Sequence, residues 1–192
     1  EIEKRFKKID IFINALNHKP KTKSYFLEFE KYLLSDWTDA IQLHLTGSFL
    51  LLQNIGRIMK KNKKGSIVNI ASDVGIISPD HRIYKKDVSK DYEGVDFNTP
   101  LSYSVSKAGL ISASRYLATL WAKDGIRVNS VSPAGVYNNQ PEKFVEQLSN
   151  LIPLGRMAKP EELKSIVVFL ASEASSYITG SNIIIDGGRT AL

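Results

Sequence analysis

Four short runs rich in isoleucine and valine recur along this chain, each set apart from the next by a far longer stretch. "IDIFIN" (9–14), "SIVNIAS" (66–72), "IRVNSVS" (126–132) and "NIIIDGG" (182–188) are compact apolar runs. That pattern marks strands covered on both faces, as buried parallel strands are. Between the first two, Trp37, Ile41, Leu45, Phe49, Leu52 and Ile55 fall three or four positions apart, which predicts an amphipathic helix over 35–63 stopped by Gly65. A second helix is predicted over 102–123, ending at Gly125, and a third opens at Pro160 with Glu161 and Glu162 in its first turn. Strand–helix–strand repeated in this way predicts an α/β fold, a parallel sheet with helices on both faces.

The chain has 192 residues, 43% of them hydrophobic, enough for one soluble domain with a core. It has no cysteine, which excludes disulfides and thiolate metal sites. No apolar run approaches the roughly 20 residues that span a bilayer, and the charged start "EIEKRFKKID" lacks a signal-peptide core. A cytoplasmic location is expected. The formal charge of +6 is dispersed into "RFKK", "HKPKTK", "KKNKK" and "YKKD" at loops and helix ends, so it reads as a solvated surface and not as a nucleic-acid site. His18 and His81 have no partner pattern, and no metal site is expected.

One segment breaks the rhythm. Residues 77–100, "ISPDHRIYKKDVSKDYEGVDFNTP", are polar, studded with aromatics and long for a connection. They follow the carboxyl end of a strand, where open α/β sheets take their ligands, and are expected to form a substrate-side loop. Directly after them stands "YSVSKAGL". Positions i and i+4 share a helix face, so the Tyr103 phenol and the Lys107 ammonium lie side by side. A cation at that distance favours the phenolate and makes Tyr103 a candidate proton donor or acceptor. Of the eight tyrosines, Tyr103 alone has a lysine four residues on.

The order of "IVNIASDVG", "YSVSK", "GIRVNSVSPAGV" and "SSYITGSNIIIDGG" resembles the short-chain dehydrogenase/reductase family over nearly the whole chain. The resemblance implies a Rossmann-like doubly wound parallel sheet and an NAD(P)-dependent oxidoreductase that interconverts an alcohol and a ketone. It makes Tyr103 the general acid/base, Lys107 the holder of the nicotinamide ribose that lowers the Tyr103 pKa, and Ser72 the hydroxyl on the substrate oxygen. Pro133, Ala134, Gly135 and Val136 match the family's Pro-Gly turn against the nicotinamide carboxamide, with Ala134 in place of a glycine. Asn138 stands where a threonine often contacts the cofactor, and is expected on the substrate side. "IDGG" (185–188) is expected to serve sheet closure and subunit packing. "ISPDHRIY" and "YNNQPEKF" look like members linked to bacterial surface-sugar biosynthesis, where Arg82, Lys85 and Lys86 would receive a phosphate or carboxylate. Generic ketone or acyl-carrier reduction is the competing substrate class. The family habit is a homodimer or homotetramer through the helices of 35–63 and 102–123.

Two positions depart from the family's pattern. Asn14 keeps the first place of its Asn-Asn-Ala-Gly turn, but Ala15, Leu16 and Asn17 follow. His44 replaces the asparagine of its proton-relay helix, and imidazole suits that work near neutral pH. The Gly-rich pyrophosphate turn, Thr-Gly-x-x-x-Gly-x-Gly, has no counterpart here. Two βαβ units of about 30 residues each are therefore expected ahead of Glu1, making 1–192 one partial domain lacking its N-terminal strands. Two rivals follow from other features. A catalytically inert scaffold would suit His44, "NALN" and the missing turn; a nucleic-acid-binding domain would suit the net charge alone.

Overall fold

The computed structural model describes residues 5–17, 23–84 and 98–192. Strands β1 (Ile11–Asn14), β2 (Gly65–Ile70), β3 (Ile126–Pro133) and β4 (Asn182–Ile185) pair in that order, all parallel. Val68 sits between Ile13 and Asn129 in register, so β2 is interior and every apolar residue on it finds cover. The four runs read from the sequence are these four strands, and the parallel α/β architecture expected from their spacing is present.

Helices α1 (Leu34–Ile41) and α2 (Gly47–Asn62) are joined without a break by a π-helical turn, Gln42–Thr46. Together they fill the single helix expected over 35–63. Helix α3 (Leu101–Trp121) runs on through a 3₁₀ turn to Gly125, whose φ of 70° ends it. Two more helices follow, α4 (Glu142–Ser149) and α5 (Pro160–Ala171). The first was not legible: "EKFVEQLS" is too short for periodicity to separate it from loop.

Alternate strand residues point to opposite faces, and each face has its own core. Leu52 and Met59 of α2, with Ala118 and Trp121 of α3, pack on Ile67, Ile126 and Val128. On the other face Leu170 and Ile166 of α5 cover Val68 and Val131. Burying each such side chain stabilises by about 1.5–3 kcal/mol. Two expectations need correction. Phe49 is 58% exposed, because the π turn rotates α2 and leaves Phe49 and Leu50 outward. Gly65 does not stop the helix; Lys63 does, in the left-handed conformation with φ 53°. Gly65 instead opens β2, where a Cβ would strike the Met59 side chain.

Candidate active site

All four strands end on the same side, and the residues just beyond them border one cleft of about 730 Å³. Leu16 follows β1, Ser72 follows β2, Ala134 and Val136 follow β3, and Arg189 follows β4. Tyr103 and Lys107 enter from α3. Strand ends leave backbone groups and side chains unpaired by the sheet, which is why ligands gather there.

Ser72 and α3 meet because the turn between them has no side chain in the way. A Cβ on Gly75 would lie 2.9 Å from the backbone of Lys107 and Ala108. Any other residue would push the helix off the 73–75 turn. With glycine there, the Ser72 hydroxyl and the Tyr103 phenol line the same wall, near enough for the hydroxyl to favour the phenolate. Lys107 reaches under the phenol, its Nζ 5.5 Å from the ring centroid, and donates to Ile70 O at 3.0 Å. The structure thus brings Ser72, Tyr103 and Lys107 together on one wall.

The electrostatics differ from the sequence expectation. Burial pushes the Tyr103 phenol above its ordinary value; the Ser72 hydroxyl offsets this in part, and the Asp73 charge adds to it. Lys107 does not make the phenol acidic in the chain by itself. It is only 5% exposed, and burial lowers its own pKa to about 8. A cation that is itself costly to keep charged is a weaker partner for a neighbouring anion.

Asn14 and His44 point elsewhere. Asn14 is buried, donating to Ser48 Oγ and to Asn69 Oδ1, both at 3.0 Å, while Ala15, Leu16 and Asn17 border the cleft in its place. Asn69 in turn donates to Ser114 Oγ of α3 at 2.9 Å, so this chain of amides ties β1, β2, α2 and α3 together. His44 is likewise buried and is not among the residues lining the cleft. Its Nδ1 lies 2.9 Å from Ser106 Oγ, and that hydroxyl gives its proton to Tyr103 O. With the Ser106 proton on Tyr103 O, the tautomer that completes the shared bond is the one with hydrogen on His44 Nδ1. The imidazole also meets the Tyr103 ring edge-on at 5.9 Å. It braces Tyr103 from behind, placed there by the π turn.

The facing wall is aromatic. Tyr84 and Phe144 stack at 5.9 Å and 24°, with Tyr25, Leu148 and Met157 around them. Tyr84 also bonds Thr99 Oγ1 at 2.6 Å, and Asn98 donates to Phe26 O at 2.7 Å. Residues 84 and 98–100 of the long loop therefore border the cleft; Lys85 and Lys86 lie outside the described residues. Arg82 does not face the cleft. It is exposed and pairs with Asp80, the two carboxylate oxygens taking Nε and Nη2, which holds the Asp80 carboxyl down at about 2. Asn138 sits at the exposed rim, its backbone N–H given to Gln140 Oε1 at 2.6 Å. The arginine that, among the described residues, does border the cleft is Arg189, which sequence reasoning passed over by giving "IDGG" a packing role. Its position directly after two glycines was the available signal.

Comparison with known proteins agrees with this geometry. The family model described as short chain dehydrogenase matches residues 1–84, and that described as enoyl-(acyl carrier protein) reductase matches residues 88–190. The NAD-dependent glycerol dehydrogenase of Listeria innocua is 36% identical over 195 residues, covering 99% of this chain and 68% of that protein. The D-threitol dehydrogenase of Mycolicibacterium smegmatis is 32% identical, covering 96% of this chain and 64% of that one. Among solved structures, a short chain dehydrogenase from Leptospira borgpetersenii with bound NAD+ superposes with a TM-score of 0.85 at 37% identity, covering 98% of this chain and 68% of that one. The chain thus spans about two thirds of the length of these relatives.

Proposed function

The chain belongs to the short-chain dehydrogenase/reductase family, and from that premise we propose that it serves an NAD(P)-dependent oxidoreductase interconverting the alcohol and ketone of a polyol or sugar. The observation that carries this reading is the meeting of Ser72, Tyr103 and Lys107 on one wall of the cleft. When bound, the nicotinamide supplies or accepts the hydride. The residues present fit such a group. Ala15, Leu16, Ala134 and Val136 give an apolar edge beside the strand ends, and Lys107 offers a buried cation that, among the described residues, makes one hydrogen bond.

In this reading Tyr103 takes the proton of the alcohol during oxidation and returns it to the carbonyl oxygen during reduction. Ser72 holds that oxygen within reach of the phenol and stabilises charge developing on it. Lys107 holds the ribose hydroxyls, and the turn of Pro133, Ala134, Gly135 and Val136 orients the ring. The aromatic pair Tyr84–Phe144 offers an apolar platform to the C–H face of a polyol, while Asn138 and Gln140 supply polar contacts at the rim. The glycerol and threitol relatives support a polyol. A sugar or sugar nucleotide of surface-glycan assembly rests on "ISPDHRIY" and "YNNQPEKF" alone. A second reading, reduction of a 3-oxoacyl or other ketone substrate, is favoured by the 3-oxoacyl-[acyl-carrier-protein] reductase of Aquifex aeolicus, 36% identical over 164 residues.

The protein is read as cytoplasmic, where the charged dinucleotides are kept. Among the described residues no helix is long and apolar enough to cross a membrane. Residues 1–192 are read as one domain that assembles as a homodimer or homotetramer, for α2 exposes Phe49 and Leu50 and α3 exposes Val105, Tyr116 and Leu120. Light scattering on the full-length protein tests the assembly. The activity is tested by following nicotinamide absorbance with NAD and NADP against glycerol, D-threitol, D-mannitol and a 3-oxoacyl thioester. Turnover of a polyol that Tyr103→Phe abolishes supports the reading. Turnover that survives the substitution, or no turnover of any substrate, overturns it.

A further inference from the structure

The Asp-Gly-Gly ending does more than close the sheet. Gly187 and Gly188 take φ of 64° and 92°, values that favour glycine, and Asp186 accepts the backbone N–H groups of Gly188 at 2.9 Å and Thr190 at 2.6 Å. This rigid turn delivers Arg189 to the cleft, 116 residues away in sequence from the acid it meets there. Its Nη1 donates to Asp73 Oδ2 at 2.6 Å, and the two side chains are 8% and 4% exposed. The other carboxylate oxygen, Asp73 Oδ1, accepts from Val74 N at 2.8 Å and from Ser72 Oγ at 3.0 Å. The same Ser72 hydroxyl stands beside the Tyr103 phenol on the cleft wall.

We propose that Arg189 is a positioning residue of the reaction: by holding one oxygen of Asp73 it aims the other at Ser72, and so sets which way the Ser72 hydroxyl points. The inference rests on the oxidoreductase reading of the same cleft. Ser72 has one proton. In the chain by itself that proton goes to Asp73 Oδ1, which holds the hydroxyl at the cleft wall; an arriving substrate oxygen competes for it, and a carboxylate already satisfied by Arg189 and Val74 N gives it up. Without its cation the buried carboxylate loses the contact that fixes its direction, and the serine is free to rotate. The Asp73 charge opposes ionisation of Tyr103, and Arg189 is the cation that pairs with that carboxylate. An arginine suits this post better than a lysine, because its planar fork keeps its direction when one N–H is engaged.

The test uses the full-length enzyme and its best polyol substrate. Arg189→Met is expected to lower kcat about tenfold or more, with KM for polyol and cofactor within about twofold, since misplacing a reacting group acts on the transition state. Arg189→Lys is expected to recover part of that loss, leaving kcat about threefold down. Placed on Asp73→Asn, Arg189→Met should add less than about twofold, because the arginine acts through the acid. A KM that rises while kcat holds would make Arg189 a substrate contact and overturn the proposal. So would equal losses on both backgrounds, or a fall in melting temperature with kcat unchanged. If Arg189→Met does not fold, Arg189→Lys decides alone, and wild-type kcat there overturns the proposal. Turnover in the wild type with unaffected variants sinks this inference only; a wild type without nicotinamide-dependent turnover sinks the oxidoreductase reading as well.

Discussion

One wall of the cleft stands on a strand end and a 21-residue helix, the other on turns, loop residues and an eight-residue helix. On the first, Ser72, Tyr103 and Lys107 are locked from behind by side chains of regular elements: His44 and Ser106 brace Tyr103, and Asn69 ties β2 to α3. On the second, Tyr84 and Phe144 rest on a separate small core of Ile83, Leu148, Ile152 and Met157. Proton transfer tolerates little displacement, whereas recognition of a substrate body tolerates change. On the proposed reading, rigidity lies where atoms would react, and irregular chain where different substrates would be fitted onto the same chemistry.

If the walls divide the work in this way, substitutions on the first should cost every substrate alike. Tyr103→Phe removes the proton donor and should lower kcat roughly 10³-fold for all polyols tested. Ser72→Ala should cost about 10²-fold in kcat, again without regard to substrate, as for loss of one oxyanion donor. Initial rates across the polyol panel check both, and a loss confined to one substrate would break the comparison.

Lys107→Met should separate function from stability. Turnover is expected to fall by about 10²-fold, yet the fold should gain, because burial of this ammonium lowers its pKa from 10.5 to about 8. The sign follows from proton binding: between those values the unfolded chain holds more protons than the folded one, so wild-type stability rises with pH there. The cost is fully present below pH 8 and is on the order of 3 kcal/mol, before the lost bond to Ile70 O is set against it. Calorimetry at pH 7 should show the variant melting a few degrees higher than wild type, with the gain gone near pH 10.5. A lower melting temperature at pH 7 would mean that the Ile70 bond outweighs the burial cost.

The smallest effect sharpens the contrast from the other side. Phe144→Ala, on the aromatic wall, should raise KM about tenfold for the longer polyols and change kcat little. The ratio of glycerol to D-mannitol turnover measures it. A kcat loss shared by all substrates would show that the second wall also positions the reacting atoms.

The strands were readable because a buried parallel strand cannot hide its composition: "SIVNI" is apolar on both faces wherever it occurs. Tyr103 and Lys107 were readable because their spacing is local, one helical turn. Arg189 and Asp73 were not, since no local period links residues 116 apart. The expected acidity of Tyr103 failed for a related reason. Spacing places a cation nearby, but burial of the whole pair decides the shift, and burial belongs to the packed chain.

By itself, the sequence determined the alternation of strands and helices, the end of the sheet where side chains gather, and the neighbouring phenol and ammonium on one helix face. All three follow from periods of two to four residues, which any chain of these residues must express. The tertiary structure alone decided that Asn14 and His44 turn inward, that Arg82 stays with Asp80 while Arg189 reaches the cleft, and that the phenol is held above its ordinary pKa. Those outcomes depend on distances across the fold and on exclusion of water, which no local spacing encodes.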